Sequence, residues 1–529
     1  MNTGRFIEEG NAVLGIEFGS TRIKGVLIDN DHHVIASGSH EWENDFKNGI
    51  WTYSESAILS GLQACYADLK NNVKAEYNTD LKRIKAIGIS AMMHGYLPFD
   101  ENMNLLVPFR TWRNTITEEA AERLTELFSF NMPQRWSLSH LYQAILNGEE
   151  HVSRIHYLTT LAGWVHFLLT GQKVLGVGDA SGMMPVDSST CDFDSGMIEA
   201  FDALVESQHY PWKLKNILPK VLVAGENAGK LTPEGAKLLD PSGELEPGSV
   251  LCPPEGDAGT GMTATNSIKA RTGNVSAGTS IFSMIVLEKP LSKVHPEIDV
   301  VTTPVGKQVA MVHCNSCTSD INAWVSLFRE FAGIMGFKTE AGEVYTRLFK
   351  KAMEGDKDCG GLVNFNYYAG EPVTGLSEGR PMLLRTPDAG MNMANFMRAQ
   401  IYASLETLKY GMDIMNQEQV TIDEVYGHGG LFKTEGVAQN LLAAAIHAPV
   451  TVMETAGEGG AWGIALLAEY TLRKEAGETL DEYLQNRVFA DMPKVTVEPD
   501  PEDEKGFDRY MERFRKCIPA QKAAVEGLK

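Results

Sequence analysis

This chain reads as an α/β protein built in two related halves, and three observations carry that reading. The first is length. At 529 residues the chain exceeds what one hydrophobic core holds, and roughly 150 residues per domain gives two to four units. The second is alternation. Strand-like apolar runs and helix-period stripes take turns along the chain, which implies mostly parallel sheets flanked by helices. The third is an internal repeat. Gly15-Ile16-Glu17-Phe18-Gly19-Ser20-Thr21, followed by Val26-Leu27-Ile28, has a counterpart in Asn274-Val275-Ser276-Ala277-Gly278-Thr279-Ser280, followed by Ile285-Val286-Leu287. Each copy reads as strand, tight Gly-hydroxyl turn, strand. Two similar domains that each open with a β-hairpin are the simplest account, and two unrelated hairpins are the alternative.

The elements between the hairpins follow in order. Ser56 to Leu69 carries Ile58, Leu62, Cys65, Tyr66 and Leu69 at helical spacing, an apolar helix face. Arg83 to Ser90 reads as a buried strand with AMMHG at its carboxyl end, and Val250-Leu251-Cys252 as a short strand followed by PPEGDAGTG. In such sheets ligands sit at the carboxyl ends of strands, where both polar segments fall. PSGELEPGS at 241–249 reads as a surface loop. In the second half Met397, Ile401, Leu405, Leu408 and Met412 form a long helical stripe, and Phe507, Tyr510, Met511 and Phe514 mark a last helix packed on the body. The boundary is expected between about 265 and 272, giving domains 1–268 and 269–529.

Composition narrows the function. With 43% hydrophobic and 22% charged residues the chain is ordinary globular protein. Its net charge of -22 repels phosphate backbones and anionic lipid, so neither nucleic acid nor a membrane surface is an expected partner. No apolar run reaches the ~20 residues that span a bilayer, and the N-terminus lacks the basic start of a secretory signal. Seven scattered cysteines suit a reducing, cytoplasmic compartment.

Two phosphate motifs fail. Gly225 to Leu231 has the wrong spacing for a Walker loop, and Gly176 to Gly182 has one residue too many for a dinucleotide fingerprint. The two hairpin turns remain. A Gly followed by two hydroxyl residues offers backbone N–H groups and side-chain donors, a small anion-binding nest. Glu17 stands two residues before Gly19, and Lys24 follows. A carboxylate beside a phosphate needs a cation between them, and Mg²⁺ serves that purpose. Asp257, in Pro254-Glu255-Gly256-Asp257-Ala258-Gly259-Thr260-Gly261, sits at a helix start. Alone it reads as a helix cap, but the surrounding glycines permit close approach by a ligand. Met93-His94-Gly95 and Trp112-Arg113-Asn114 are candidates to line a polar pocket, Trp as a flat wall and His as a hydrogen-bond donor. Gly427-His428-Gly429-Gly430 and Gly457-Glu458-Gly459-Gly460 either let backbone lie against a nucleotide base or form strand-to-helix turns. Cys314-Asn315-Ser316-Cys317 has no second ligand pair and reads as structural.

Taken together and in order, these segments resemble the FGGY carbohydrate-kinase family, its xylulokinase branch above all. LGIEFGSTRIKGVLI at 14–28 is similar to the first phosphate hairpin, MHG at 93–95 to the sugar-site motif, and DASG at 179–182 and GKLTP at 229–233 to further landmarks. EGDAGTG around Asp257 is similar to the catalytic segment, AGTS at 277–280 to the second hairpin and YYAGEP at 367–372 to a Tyr-x-x-Gly-Glu segment. HGGLFKTEGVAQ and AGEGGAWGIA are similar to the nucleotide end, with Gln439 near a position that faces adenine. Three departures stand out. Glu17 replaces the usual Asp, Asn114 stands where Trp-x-Asp is common, and a short insertion separates Gly430 from Gln439.

The resemblance implies two actin/hexokinase-like (ribonuclease H-like) domains with a cleft between them, closing on the sugar before transfer. It implies ATP and Mg²⁺, and transfer of phosphate to a ketopentose hydroxyl: D-xylulose to D-xylulose 5-phosphate, with L-ribulose or another ketose or polyol as alternatives. Asp257 is then the base. Met93, His94, Gly95, Trp112, Asn114 and Asp257 hold the sugar, and Glu17 and Asp257 the metal. Gly19, Ser20, Thr21, Lys24, Gly278, Thr279, Gly429, Gly430 and Gln439 hold the nucleotide. A non-catalytic sugar- or nucleotide-binding regulator and a zinc or redox protein built on Cys314 and Cys317 are the competing classes. A homodimer is the assembly to test.

Overall fold

Six residues, VLGIEF, begin the first sheet as β1 (Val13–Phe18), and the three-residue turn after them forces the chain back antiparallel into β2 (Arg22–Ile28) and then β3 (Val34–Glu41). Helix α1 (Glu55–Tyr77) is capped by the Ser54 hydroxyl and buries Ile58, Leu62, Cys65, Tyr66 and Leu69, the face its periodicity predicts. Strand β4 (Ala86–Ala91) is buried throughout and runs parallel to β1. Next come α2 (Leu161–Thr170), the short α3 (Val177–Ala180), β5 (Val250–Leu251), β6 (Glu255–Gly256) and α4 (Asp257–Ala264). The sheet order is β5-β4-β1-β2-β3, with β6 also paired to β4.

A second sheet opens in the same way. The hairpin of β7 (Thr272–Ala277) and β8 (Ile281–Val286) is antiparallel. It is followed by β9 (Gln308–Cys314), α5 (Ser319–Ile334), α6 (Met393–Gln417), β10 (Glu424–His428), α7 (Ala438–Ile446) and β11 (Val450–Met453). Helix α8 (Gly459–Arg473) belongs with the first sheet, and β12 (Lys494–Val497) and α9 (Pro501–Gly527) with the second. The second order includes β9-β8-β7-β10-β11-β12, with β10 parallel to β7 and β12 antiparallel to β11. Both sheets are therefore mixed, where alternation had predicted mostly parallel ones, because a turn of three residues joins only antiparallel neighbours.

The computed structural model describes residues 2–453 and 459–528. It divides into one unit of Met1–Ile268, Asp299–Val309 and Glu458–Asp491 and another of Lys269–Ile298, Ala310–Gly457 and Met492–Lys529. In the first unit α8 lies flat on the sheet. A side chain at Gly15 would meet the Ala461 carbonyl at 2.0 Å, and one at Gly88 the Ile464 carbonyl at 2.5 Å. In the second, α9 buries Phe507, Tyr510, Met511 and Phe514, with Tyr402 tilted against Phe507 at 4.2 Å between ring centroids. No described helix is long and apolar enough to cross a membrane.

Candidate active site

Glu17 lies on β1, opposite Lys24 on β2 and beside Ser90 on β4. Burial pushes its carboxyl up to about 7, and the nearby Asp257 charge adds to the rise; the Ala461 N–H, Lys24 and Arg22 oppose it. Ala461 belongs to the first turn of α8, so a helix N-terminus faces this carboxylate. Gly460 makes the approach possible, since a side chain there would come within 2.3 Å of Glu17 Oε1 and 2.7 Å of Thr260 Oγ1.

Asp257 is the first residue of α4, and Gly256 is the cap. Its Oδ1 accepts the Met93 N–H at 3.2 Å and the Ala258 N–H at 3.0 Å. The side chain is open to solvent. Crowding by protein atoms raises its pKa, while those two amides and the Arg135 guanidinium oppose the rise. The Asp257 charge thus acts on Glu17, and two carboxylates are donors that suit a hard divalent cation.

The DASG segment supports this pair. Gly182 carries the carbonyl that accepts the His94 Nδ1–H at 3.0 Å, and a side chain at Gly182 would strike His94 at 2.7 Å and Met93 at 2.8 Å. Asp179 accepts from the Thr160 hydroxyl at 2.6 Å, and Glu255 accepts the amides of Gly178 and Asp179 at 3.2 and 2.9 Å. Burial drives Asp179 and Glu255 both to about 8.

His94 is buried, and desolvation depresses its pKa to about 3, so the ring is neutral. Its single N–H, at Nδ1, faces the Gly182 carbonyl, which leaves Nε2 a lone-pair acceptor. The sequence had read this residue as a donor; a carbonyl at Nδ1 reverses the polarity. Gly95 has φ +89 and sits where a side chain would strike Phe109 and the Arg110 carbonyl at 2.7 and 2.8 Å.

The first hairpin turn is pinned by its carbonyls. Trp42 Nε1 donates to the Gly19 oxygen at 2.7 Å, Tyr53 OH to the Ser20 oxygen at 2.5 Å and the Trp42 N–H to the Thr21 oxygen at 3.1 Å. Among the described residues the Ser20 and Thr21 amides have no hydrogen-bond partner, which is the form of an anion nest. Trp112 Nε1 reaches Ser20 Oγ at 3.2 Å, so Trp112 and the hairpin come together.

Asn114 has another job than the one expected. Its Oδ1 accepts the Trp51 N–H at 2.9 Å, and its amide hydrogens go to the carbonyls of Trp51 and Thr111 at 2.8 and 2.9 Å. The side chain clamps backbone, and no donor is left for a sugar.

In the second unit Gly278 and Thr279 repeat the pinned turn. The Cys317 N–H donates to the Thr279 oxygen at 2.9 Å, and the Thr318 N–H and hydroxyl to the Gly278 oxygen at 3.2 and 2.7 Å. The CxxC segment therefore holds the hairpin, and burial pushes both of its free thiols up. Glu371 of the YYAGEP segment accepts the amides of Asn315 and Ser316 at 3.1 and 2.6 Å, fastening the same loop. Gly429, at φ +104, abuts Ala277, where a side chain would lie 2.4 Å from its carbonyl, and Gly430 faces open space. Gln439, expected near adenine, spends both amide hydrogens on the Val450 and Val495 carbonyls at 2.8 and 2.7 Å and clamps β11 to β12. Gly457 and Glu458 lie outside the described residues.

Sequence reading missed Arg135, whose charge acts on both His94 and Asp257 and which pairs with Asp299. A lone Arg in a loop, 164 residues from its partner, gives no pattern to find. Glu255 stands two residues before Asp257, and the sequence reading gave it no role.

This fold and arrangement are those of a sugar kinase. The chain belongs to the FGGY family of carbohydrate kinases, whose N-terminal domain matches residues 12–241 and whose C-terminal domain matches residues 273–472. It is similar to a xylulose kinase of Haemophilus influenzae, 22% identical over 476 residues that cover 85% of this chain and 89% of that protein. In structure it is similar to a ligand-bound xylulose kinase of Lactobacillus acidophilus, with TM-score 0.78 and 17% identity over 98% of this chain and 100% of that one. A gluconate kinase of Lactobacillus acidophilus also has TM-score 0.78 and 17% identity, over 98% and 99%.

Proposed function

We propose that this chain is an ATP-dependent ketose kinase, with D-xylulose as the first substrate to test and D-xylulose 5-phosphate as its product. One observation carries the reading: the amide of Met93 is bonded to the carboxylate of Asp257. The segment similar to the sugar-site motif is thereby wired to the proposed base. Asp257 accepts the sugar hydroxyl proton as the oxygen–phosphorus bond forms and the bond from the γ-phosphorus to the β–γ bridging oxygen breaks, leaving sugar phosphate and ADP. His94 Nε2 accepts a hydrogen bond from a second sugar hydroxyl. The Ser20 and Thr21 amides receive charge on the transferred phosphate, where positioning and neutralisation do most of the work. Gly278, Thr279, Gly429 and Gly430 make the nucleotide cradle of the second unit. Glu17 and Asp257 would hold Mg²⁺, which supplies charge neutralisation when bound.

A panel of D-xylulose, L-ribulose, other ketoses and polyols with ATP and Mg²⁺ tests the reading. D-xylulose is expected to give the highest kcat/KM, and Asp257→Ala to lower kcat by ~10²–10⁴-fold. Equal turnover in the variant would remove Asp257 from the role of base. The Arg135 charge near His94 and Asp257 supports a second reading, an aldonic acid acceptor, so gluconate belongs in the same panel. A gluconate preference that Arg135→Met abolishes would displace the ketose reading.

A further inference from the structure

Arg135 stands beside the segment similar to the sugar-site motif. Its carbonyl accepts the Gly95 N–H at 3.1 Å. The next ring, Trp136, stacks on His94 with centroids 6.1 Å apart, and the Arg135 charge acts on both His94 and Asp257. A bare guanidinium there would draw a carboxylate into the pocket, because Arg binds carboxylates through paired, charge-assisted hydrogen bonds. It is not bare. Arg135 Nη2 is paired with Asp299 Oδ2, and Asn131 Nδ2 donates to the other carboxylate oxygen of Asp299 at 3.0 Å.

Asp299 reaches this place from far along the chain. Residues 299–309 belong to the first unit, although 269–298 and 310–457 belong to the second. The short strand Asp299–Thr302 is fastened there without help from the ion pair. The Thr302 N–H donates to the Ser181 hydroxyl at 2.9 Å, and the Thr302 hydroxyl to the Val177 carbonyl at 3.0 Å. Other hydrogen bonds therefore already position the chain at both ends of the pair. The Arg135 side chain is 26% exposed and that of Asp299 12%, and an ion pair so placed adds little net stability. What Asp299 does supply is a counter-charge.

We propose that Asp299 sets the charge class of the acceptor: by neutralising Arg135 it selects uncharged ketoses and polyols against sugar acids. The inference rests on placing the acceptor at residues 93–95 and Asp257. A sugar acid entering there would have to displace Asp299 from Arg135 or leave its own carboxylate without a partner, and a penalty of that kind separates two otherwise similar ligands. Asp299 thus favours the ketose over the aldonic acid.

Titration calorimetry with D-gluconate and D-glucitol tests this without turnover, since the two differ only in a carboxylate against a CH₂OH group. Asp299→Asn is expected to tighten gluconate binding by about 10-fold or more and to leave glucitol within about 2-fold. Adding Arg135→Met to that variant is expected to abolish the gain, which a role in folding alone would not do. If circular dichroism shows that Asp299→Asn is unfolded, Asp299→Ser carries the same expectation. The proposal is overturned by a gluconate affinity unchanged in the folded variant, by a gain that glucitol shares, or by one that survives Arg135→Met. A wild-type chain that binds gluconate more tightly than glucitol overturns it too. Kinetics of Asp257→Ala judge the site by themselves: full turnover there overturns the placement of the acceptor and this inference with it, whereas an unchanged gluconate affinity removes Asp299 alone.

Discussion

Gly460 has no side chain, and Glu17 occupies the space that one would take. An alanine there would put its Cβ 2.3 Å from Glu17 Oε1, so the carboxylate or the first turn of α8 must shift. Gly460→Ala is expected to cost about 1–3 kcal/mol of stability and to lower kcat more than it raises the sugar KM; melting curves and steady-state kinetics check both. At this scale the sequence was a partial guide. Asp257 and Glu17 were found as acids at a helix start and beside a phosphate turn. Asn114 and Gln439 were expected as ligands from the positions they hold in the family resemblance. Whether an amide's hydrogens are free depends on which carbonyls fold beside it, and those belong to Trp51, Thr111, Val450 and Val495.

The elements show how two similar hairpins come to present their amides. Each is held from its carbonyl side, the first by Trp42 and Tyr53, the second by Cys317 and Thr318. Trp42→Phe removes one pin and keeps the ring. It is expected to cost about 1 kcal/mol, the net worth of one hydrogen bond, and to raise the KM for ATP several-fold at constant sugar KM. Thr318→Val removes the corresponding hydroxyl from the second turn and is expected to shift the same constant in the same direction. A change confined to the sugar KM in either variant would count against the hairpins as phosphate holders. The hairpins themselves were legible as strand, Gly-hydroxyl turn, strand. Their pins were not, because each comes from a different part of the chain.

Across the whole molecule, buried ionisable groups set the response to pH. Burial holds Asp179 and Glu255 at about 8 and Glu17, Glu371 and Glu469 at about 7, against ordinary values of 3.8 and 4.5. These groups keep protons in the folded chain that the unfolded chain has lost, so they weaken the fold as pH rises from about 4.5 to 8. Desolvation also depresses His94 and His140 to about 3 and His151, His166 and His428 to about 4, against 6.5. Those rings gain protons on unfolding, so they strengthen the fold as pH rises toward 6.5. The two sets oppose each other below 6.5, and only the carboxyls act above it. Without ligands, Tm is therefore expected to fall between pH 6.5 and 8.5, and Asp179→Asn to flatten that slope. A Tm that rises over this interval would contradict the assignment.

By itself the sequence determined the α/β architecture, the two hairpins, the helix faces and the acid at 257. All of these rest on periodicity and turn chemistry within a few neighbouring residues. Only the tertiary structure decided the mixed sheets, the acceptor face of His94, the backing of Glu17 by α8 and the jobs of Asn114, Gln439 and the CxxC segment. The physical reason is the reach of the interactions. A helix stripe or a tight turn is written locally. A hydrogen's destination, a carboxyl's burial and a glycine's necessity depend on residues brought together from far along the chain.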